Sequence, residues 1–365
     1  MHDDASNARN TDDPSTLDPS VPRGANTGHL PLADVSRLAA EVLDEVEVAV
    51  VGKRHALTLV LAAILAGGHV LLEDFPGLGK TLAARSFAQT LGLNFARAQF
   101  TPDLLPSDLT GAFVFDQRTS EFSFRHGPLF TGLLLADEIN RTPPRTQSAL
   151  LEAMQEHQIT VEGQTFVLEP PFHVLATANP IEYEGTYPLP EAQLDRFMMR
   201  TSFGYPSVDD EWDVLYRRMD RQREDQALRQ ITDAATLIAM QEAVERVTVD
   251  ESVGRYCVAL ATATRTHQHV LMGSSPRGSL GLLLAARAFA VIGGRDYVTP
   301  EDVKAVAEPV LAHRITVKPE MWMSQVSGRT VVEAVLSSVP APAPLEAAPA
   351  AAPATDPTEP ASGQP

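Results

Sequence analysis

Only one cysteine, Cys257, occurs in the 365 residues. A single thiol forms no internal disulfide and no multi-thiolate metal site, so both of those scaffolds are excluded. Cys257 reads instead as a small buried hydrophobe. Basic residues are also scarce: 29 Lys and Arg stand against 47 Asp and Glu, a formal net charge of −18. Non-specific binding to nucleic acid needs an excess of Lys and Arg, so no nucleic-acid partner is expected. Long apolar runs are missing too. The longest, residues 57–66, closes at Gly67-Gly68 and falls short of the ~20 residues a membrane span requires. The opening MHDDASNARN is acidic and has no apolar core, so no secretory signal is expected there. These absences predict a cytoplasmic protein without membrane insertion. The 44% hydrophobic content is enough for a sizeable core and excludes collagen-like and wholly disordered chains. At roughly 100–200 residues per domain, the length suits one or two folded domains.

The pattern along the chain divides it into four. Residues 1–29 carry five aspartates among Ser, Asn, Thr and Pro, with no apolar period, and predict a disordered acidic tail. Residues 338–365, rich in Ala and Pro, predict a second disordered tail. Between them, residues 30–205 alternate short apolar runs with helical patterns, which implies an α/β unit with a parallel sheet and helices on its faces. The candidate strands are 70–73, 95–100, 133–137, 173–177 and 198–203. Residues 82–91 have helix-face spacing and stop at Gly92. Thr142-Pro143 predicts the cap and first turn of a helix that includes Leu150, Leu151 and Met154. Two hairpins are expected at 112–124 and 158–168. Residues 206–337 carry few strand signals and predict a smaller all-helical unit, with helices over 209–225, 226–246 and 278–292 and another capped by Thr299.

The strongest chemical signal is Pro76-Gly77-Leu78-Gly79-Lys80-Thr81, between an apolar strand and an amphipathic helix. Glycines let the backbone curl until its N–H groups point at phosphate oxygens, and a helix N-terminus adds partial positive charge. Lys80 is placed to reach the β- and γ-phosphates, and the Thr81 hydroxyl to ligate Mg²⁺. Asp74 stands where the strict loop pattern begins with glycine. A second signal is Leu133-Leu134-Leu135-Ala136-Asp137-Glu138, a buried strand that ends in two acids. Open α/β sheets bind ligands at that end of their strands. Asp137 is expected to hold Mg²⁺ and Glu138 to take a proton from attacking water. Asn179 ends a third apolar run and could bond the γ-phosphate or position the water. Arg196 and Arg277 are candidates for stabilising the charge that develops in phosphoryl transfer. His69 reads as a hydrogen-bonded packing residue.

From about residue 50 to 314 the chain resembles the MoxR family of AAA+ ATPases. The resemblance is carried by HVLLEDFPGLGKT, QFTPDLLPSDLTG, LLLADEINRTPPRTQSALLEAMQE, TANPIEYEGTYPLPEAQLDRF, SPRGS and GRDYVTPEDVKAVAEPVLAHR. It implies an AAA+ phosphate-loop sheet followed by a helical lid, with ATP and Mg²⁺ as cofactors. Asn179 resembles the sensor-1 residue. Arg277 resembles sensor 2, in a lid over the same subunit's nucleotide, and Arg196 resembles the finger that reaches the neighbouring subunit. Val51 and Gly52 resemble the adenine-side segment, while residues 76–82, Leu82 included, form the nucleotide loop. The two hairpins resemble the helix-2 insert and the pre-sensor-1 hairpin. The resemblance also implies a hexameric ring, a chaperone-like role on a protein client, and a partner with a von Willebrand factor A-type domain in cofactor or metal insertion. An ATP-dependent binding switch and a chelatase-type motor subunit are the alternatives.

Overall fold

The computed structural model describes residues 29–180, 185–222 and 226–343. The expected tails therefore lie outside the described residues, save His29 and residues 338–343. Ser338 still belongs to the last helix, which runs further than expected.

The first half runs α1 (Leu32–Ala49), α2 (Arg54–Leu65), β1 (Val70–Glu73), α3 (Lys80–Thr90), β2 (Phe95–Gln99), α4 (Pro106–Thr110), β3 (Gly111–Asp116) and β4 (Glu121–His126). It continues through β5 (Leu133–Asp137), α5 (Pro144–Glu156), β6 (Gln158–Val161), β7 (Gln164–Val167), β8 (His173–Ala178), α6 (Glu191–Leu194) and β9 (Met199–Thr201). Five of these strands form one parallel sheet in the order β2-β5-β8-β1-β9. β5 and β8 are buried along their whole length, which is why both read as mainly apolar runs, with His173 and Thr177 of β8 and Asp137 of β5 buried among them. Their alternate residues feed two cores. Val70, Leu72, Leu133, Leu135 and Leu175 face α1, α2 and α3. Leu71, Leu134, Ala136, Val174 and Ala176 face α5 and the hairpin side.

Helices follow β9: α7 (Val208–Arg221), α8 (Ala234–Val244), α9 (Glu251–Thr266), α10 (Pro276–Ile292), α11 (Pro300–Leu311) and α12 (Gly328–Ser338), with a small ribbon of β10 (Val270–Met272) and β11 (Thr316–Val317). This helical part shares the first core, because α10 packs against α1 and α2 as well as α9 and α11. Thr299 caps α11 as expected, in a reciprocal pair with Asp302. Cys257 is buried.

Two local expectations fail. Thr142 does not cap α5; its hydroxyl donates to the Thr101 carbonyl at 3.0 Å, and Pro143 and Pro144 open the helix unaided. Residues 226–233 are not helical. Instead this strap ties the two halves, with Ile231 N–H on the Thr90 carbonyl and Arg229 on the Glu45 carboxylate. Asp233 then caps α8 and sets its start. The helix expected over 209–225 forms as α7, strongly amphipathic and with no buried residue. Val208, Trp212, Leu215, Tyr216 and Met219 form an exposed apolar stripe along it.

Both hairpins form. β3 and β4 pair across the Asp116–Ser120 turn, and β6 and β7 across Glu162-Gly163. Both residues of the second turn have positive φ, the two-residue geometry that matches strand twist. The hairpins meet through Phe124 and Phe166, stacked with centroids 4.1 Å apart.

Candidate active site

The chain leaves β1 and passes Asp74 before entering the loop. Asp74 is buried, and its carboxylate accepts the N–H groups of Phe75, Phe203 and Gly204. The residue at the pattern's glycine position therefore anchors the loop entrance to the chain leaving β9. Its carbonyl also accepts from Lys80 Nζ. Gly77 and Gly79 have φ of +80° and +81°, and a Cβ on either would meet no atom within 4 Å. Glycine is needed here for conformation, not for space. Gly79 stands at the N-cap of α3, so Lys80 and Thr81 open the helix and the backbone donors of its first turn face the loop.

β5 and β8 bring the other groups to the same end of the sheet. A cleft of about 350 Å³ is lined by residues 76–82 together with Asp137, Glu138, Thr177 and Asn179. Lys80, Thr81, Asp137, Glu138 and Asn179 are thus brought together as their spacing predicted. Hydroxyl and carboxylate oxygens such as those of Thr81 and Asp137 suit a hard cation like Mg²⁺.

Four residues that sequence reasoning missed hold the two acids. Thr177 Oγ1 donates to Asp137 Oδ1 at 2.7 Å and accepts the Glu138 N–H at 2.8 Å. Arg97 on β2 donates to Asp137 Oδ2 from Nε at 3.1 Å and from Nη2 at 2.6 Å. Gln99, two residues on and on the same strand face, donates to Glu138 Oε2 at 2.7 Å. Arg141 Nε lies 3.2 Å from the same oxygen. Glu138 itself has a left-handed backbone (φ 59°, ψ 49°), uncommon for a residue other than glycine. The one signal for Arg97 and Gln99 was their period-two spacing; that β2 lies beside β5 is settled by sheet order.

Arg196 and Arg277 lie elsewhere. Together with Arg314 and His69 they line a separate concavity of about 210 Å³, none of whose lining residues borders the phosphate-loop cleft. His69 and Met198 lead into β1 and β9, so this concavity sits at the N-terminal end of strands whose C-terminal ends face the loop. Four residues of strand, roughly 13 Å, separate the two. The expected position of Arg277 over its own subunit's nucleotide is therefore corrected: α10 packs on α1 and α2 and starts beside Arg196. Val51 and Gly52 are not in the cleft lining either. Gly52 forms the turn between α1 and α2, against Asp210 of α7. His69 plays the packing role expected of it. Its Nδ1 accepts the Val174 N–H at 3.0 Å, which leaves Nε2–H to donate to the Met154 carbonyl at 3.1 Å.

Residues 69–199 match the ATPase family associated with various cellular activities (AAA), and residues 262–335 match the AAA lid domain. Over 320 residues the chain is 42% identical to the chaperone MoxR1 of Mycobacterium tuberculosis, covering 84% of each protein. It belongs to the MoxR family of AAA+ ATPases. YeaC of Bacillus subtilis, itself uncharacterized, is 46% identical over 309 residues, 85% of this chain and 96% of YeaC. A crystal structure from Cytophaga hutchinsonii, of a protein with an ATPase designation, superposes with a TM-score of 0.80 at 41% identity, covering 85% of this chain and 97% of that one. The MoxR-type AAA+ fold, a parallel sheet with helices on its faces and a helical lid, is thereby established. Among the described residues, no helix is long and apolar enough to cross a membrane.

Proposed function

We propose that this MoxR-family chain hydrolyses ATP to ADP and phosphate in the loop cleft, as a subunit of a cytoplasmic hexameric ring. The observation that carries the reading is the convergence of Lys80, Thr81, Asp137, Glu138 and Asn179 on one cleft. Backbone N–H groups of the loop and Lys80 hold the β- and γ-phosphates. Thr81 and Asp137 would hold Mg²⁺, which when bound neutralises charge on the phosphates. Glu138 takes a proton from the attacking water, with Gln99 and Arg141 fixing its carboxylate. Asn179 orients that water or the γ-phosphate. Arg196 and Arg277 act on a neighbouring subunit's triphosphate, a reading supported by their shared concavity away from their own cleft. The exposed stripe on α7 is also in keeping with an assembled state.

Turnover then works on a protein client. The printed name of MoxR1 supports a chaperone-like role. A partner with a von Willebrand factor A-type domain, and cofactor or metal insertion, rest on the family resemblance alone.

A binding switch with slow turnover is a second reading, favoured by the way Arg97, Gln99 and Arg141 already engage both acids. The test is the Glu138→Gln variant. It should bind ATP like the parent, lose at least ~10²-fold in turnover, and retain in ATP a client that wild type releases. Wild-type turnover in that variant would overturn the assignment of the base. A parent turnover too slow to measure with or without partner would favour the switch.

A further inference from the structure

Asp195 immediately precedes Arg196, and its carboxylate faces away from solvent into the helical part. Oδ1 accepts Nε of Arg314 at 2.7 Å, and Oδ2 accepts the Ser275 hydroxyl at 3.1 Å. Ser275 is the N-cap of α10, and its Oγ also accepts the Arg277 N–H at 3.2 Å. A continuous hydrogen-bonded path therefore runs from the residue beside Arg196 to the backbone of Arg277.

Arg314 closes the path from the other side. Its side chain is almost fully buried. Its Nη2 donates to the carbonyls of Asp195 (3.4 Å) and Phe197 (2.8 Å), and its Nη1 to those of Met198 (3.1 Å) and Val310. The carbonyls on both sides of Arg196 are thus held by one guanidinium, which is rooted at the end of α11 through Val310. Burial lowers the pKa of Arg314, the Asp195 carboxylate opposes that, and nearby Arg277 adds to the lowering. The concavity is lined by three arginines and, among the described residues, by no carboxylate. Asp195, behind it, is the acid that lets Arg314 sit there charged.

An ion pair whose guanidinium is buried and whose carboxylate is largely covered is weak evidence of stability but is suited to holding one arrangement. We propose that Asp195 is a positioning residue for phosphoryl transfer. Through Arg314 and Ser275 it locks the Arg196 segment to the start of α10, so that Arg196 and Arg277 are presented as a single unit. This deepens the proposed function and rests on its assignment of the two arginines. Because α10 and α11 belong to the helical lid, any movement of the lid moves both arginines together.

The experiment compares steady-state ATPase parameters of the assembled full chain for Asp195→Asn, Ser275→Ala and Asp195→Glu, each alone and in an Arg196→Ala, Arg277→Ala background. Nucleotide affinity is read separately by equilibrium binding. Asp195→Asn should lower kcat at least tenfold and leave nucleotide affinity within about twofold. Ser275→Ala keeps the ion pair, so it reports even if Asp195→Asn folds poorly, and it should lower kcat severalfold. Asp195→Glu should recover part of the loss. In the arginine-free background both substitutions should be nearly silent, because what they position is gone. Equal losses in both backgrounds, or unchanged kcat in Asp195→Asn and Ser275→Ala, overturn the positioning role while leaving the arginine assignment intact. If the arginine-free parent itself turns over at the wild-type rate, the arginine assignment fails and the positioning role falls with it.

Discussion

Arg97 Nη2 lies 2.6 Å from Asp137 Oδ2, from one strand to the next in the parallel sheet. The guanidinium thus occupies one oxygen of the carboxylate proposed to hold Mg²⁺, and Thr177 takes the other. The Arg97 side chain is half exposed, so the pair is worth no more than about 1 kcal/mol. Arg97→Ala should shift the Mg²⁺ concentration for half-maximal ATPase by up to about fivefold, to lower values, as about 1 kcal/mol of competition disappears. Titration of activity with Mg²⁺ at fixed ATP checks this. A shift to higher values would mean that Arg97 orients the acid rather than competing for it.

The separation of the two concavities predicts complementation between subunits. Lys80→Ala and Arg196→Ala should each lose most activity, the second by ~10³-fold or more if it acts as a finger. A mixture of the two should regain a clear fraction of wild-type rate, because a cleft with Lys80 then faces a neighbour with Arg196. Activity that stays at the sum of the two separate preparations would place the arginine in its own subunit's site.

Gly79 has φ of +81° and empty space where a Cβ would point. Gly79→Ala should therefore cost only the left-handed penalty, about 1–2 kcal/mol. The loss is expected in nucleotide affinity, roughly five- to thirtyfold by equilibrium binding, if the loop relaxes out of its anion-binding curl. Unchanged affinity with a lowered melting temperature would show that the curl survives the strain.

His173 joins the sheet to the helical part. Its Nδ1–H donates to the Gly68 carbonyl, and its Nε2 accepts from Gln241 of α8, which also donates to the Ile64 carbonyl. Burial lowers its pKa from 6.5 to about 4, and burial also lowers His69 to about 3. The unfolded chain therefore binds more protons than the folded one below pH 6.5. The contribution of these histidines should be level above pH 7 and fall as pH drops from about 6.5 towards 4, by about 3 kcal/mol for His173 alone. Urea melts across that range should show the fall, with a smaller slope in His173→Gln. Identical slopes would remove His173 from the account.

Much of the site was legible because phosphate binding imposes strict local demands. A strand, a glycine curl and a helix start must follow one another directly, so Gly77, Gly79, Lys80 and Thr81 announced themselves. Asp137, Glu138 and Asn179 were legible because each follows a mainly apolar run, and a strand buried on both faces leaves solvent-facing polar groups to its ends. Arg97, Gln99 and Thr177 were not legible. Their importance lies in which strands are neighbours, and β2, β5 and β8 are far apart in the chain.

The helical half shows the same boundary. The Thr299 cap was readable because its partner, Asp302, is three residues away. The strap at 226–233 was not, because its polar residues suit an exposed helix equally well until Glu45 and Thr90 claim them.

The amino-acid order alone determined the strand, loop and helix that form the nucleotide cradle, and the acids that face it. Those features depend on backbone conformation and burial within a few residues, which the order of side chains specifies directly. Tertiary structure alone decided that Arg196 and Arg277 share a concavity remote from that cradle, and that Asp195, Ser275 and Arg314 bind them into one unit. The helical half packs on α1 and α2 through a common core, and the direction in which it folds back is set by long-range burial that no local stretch records.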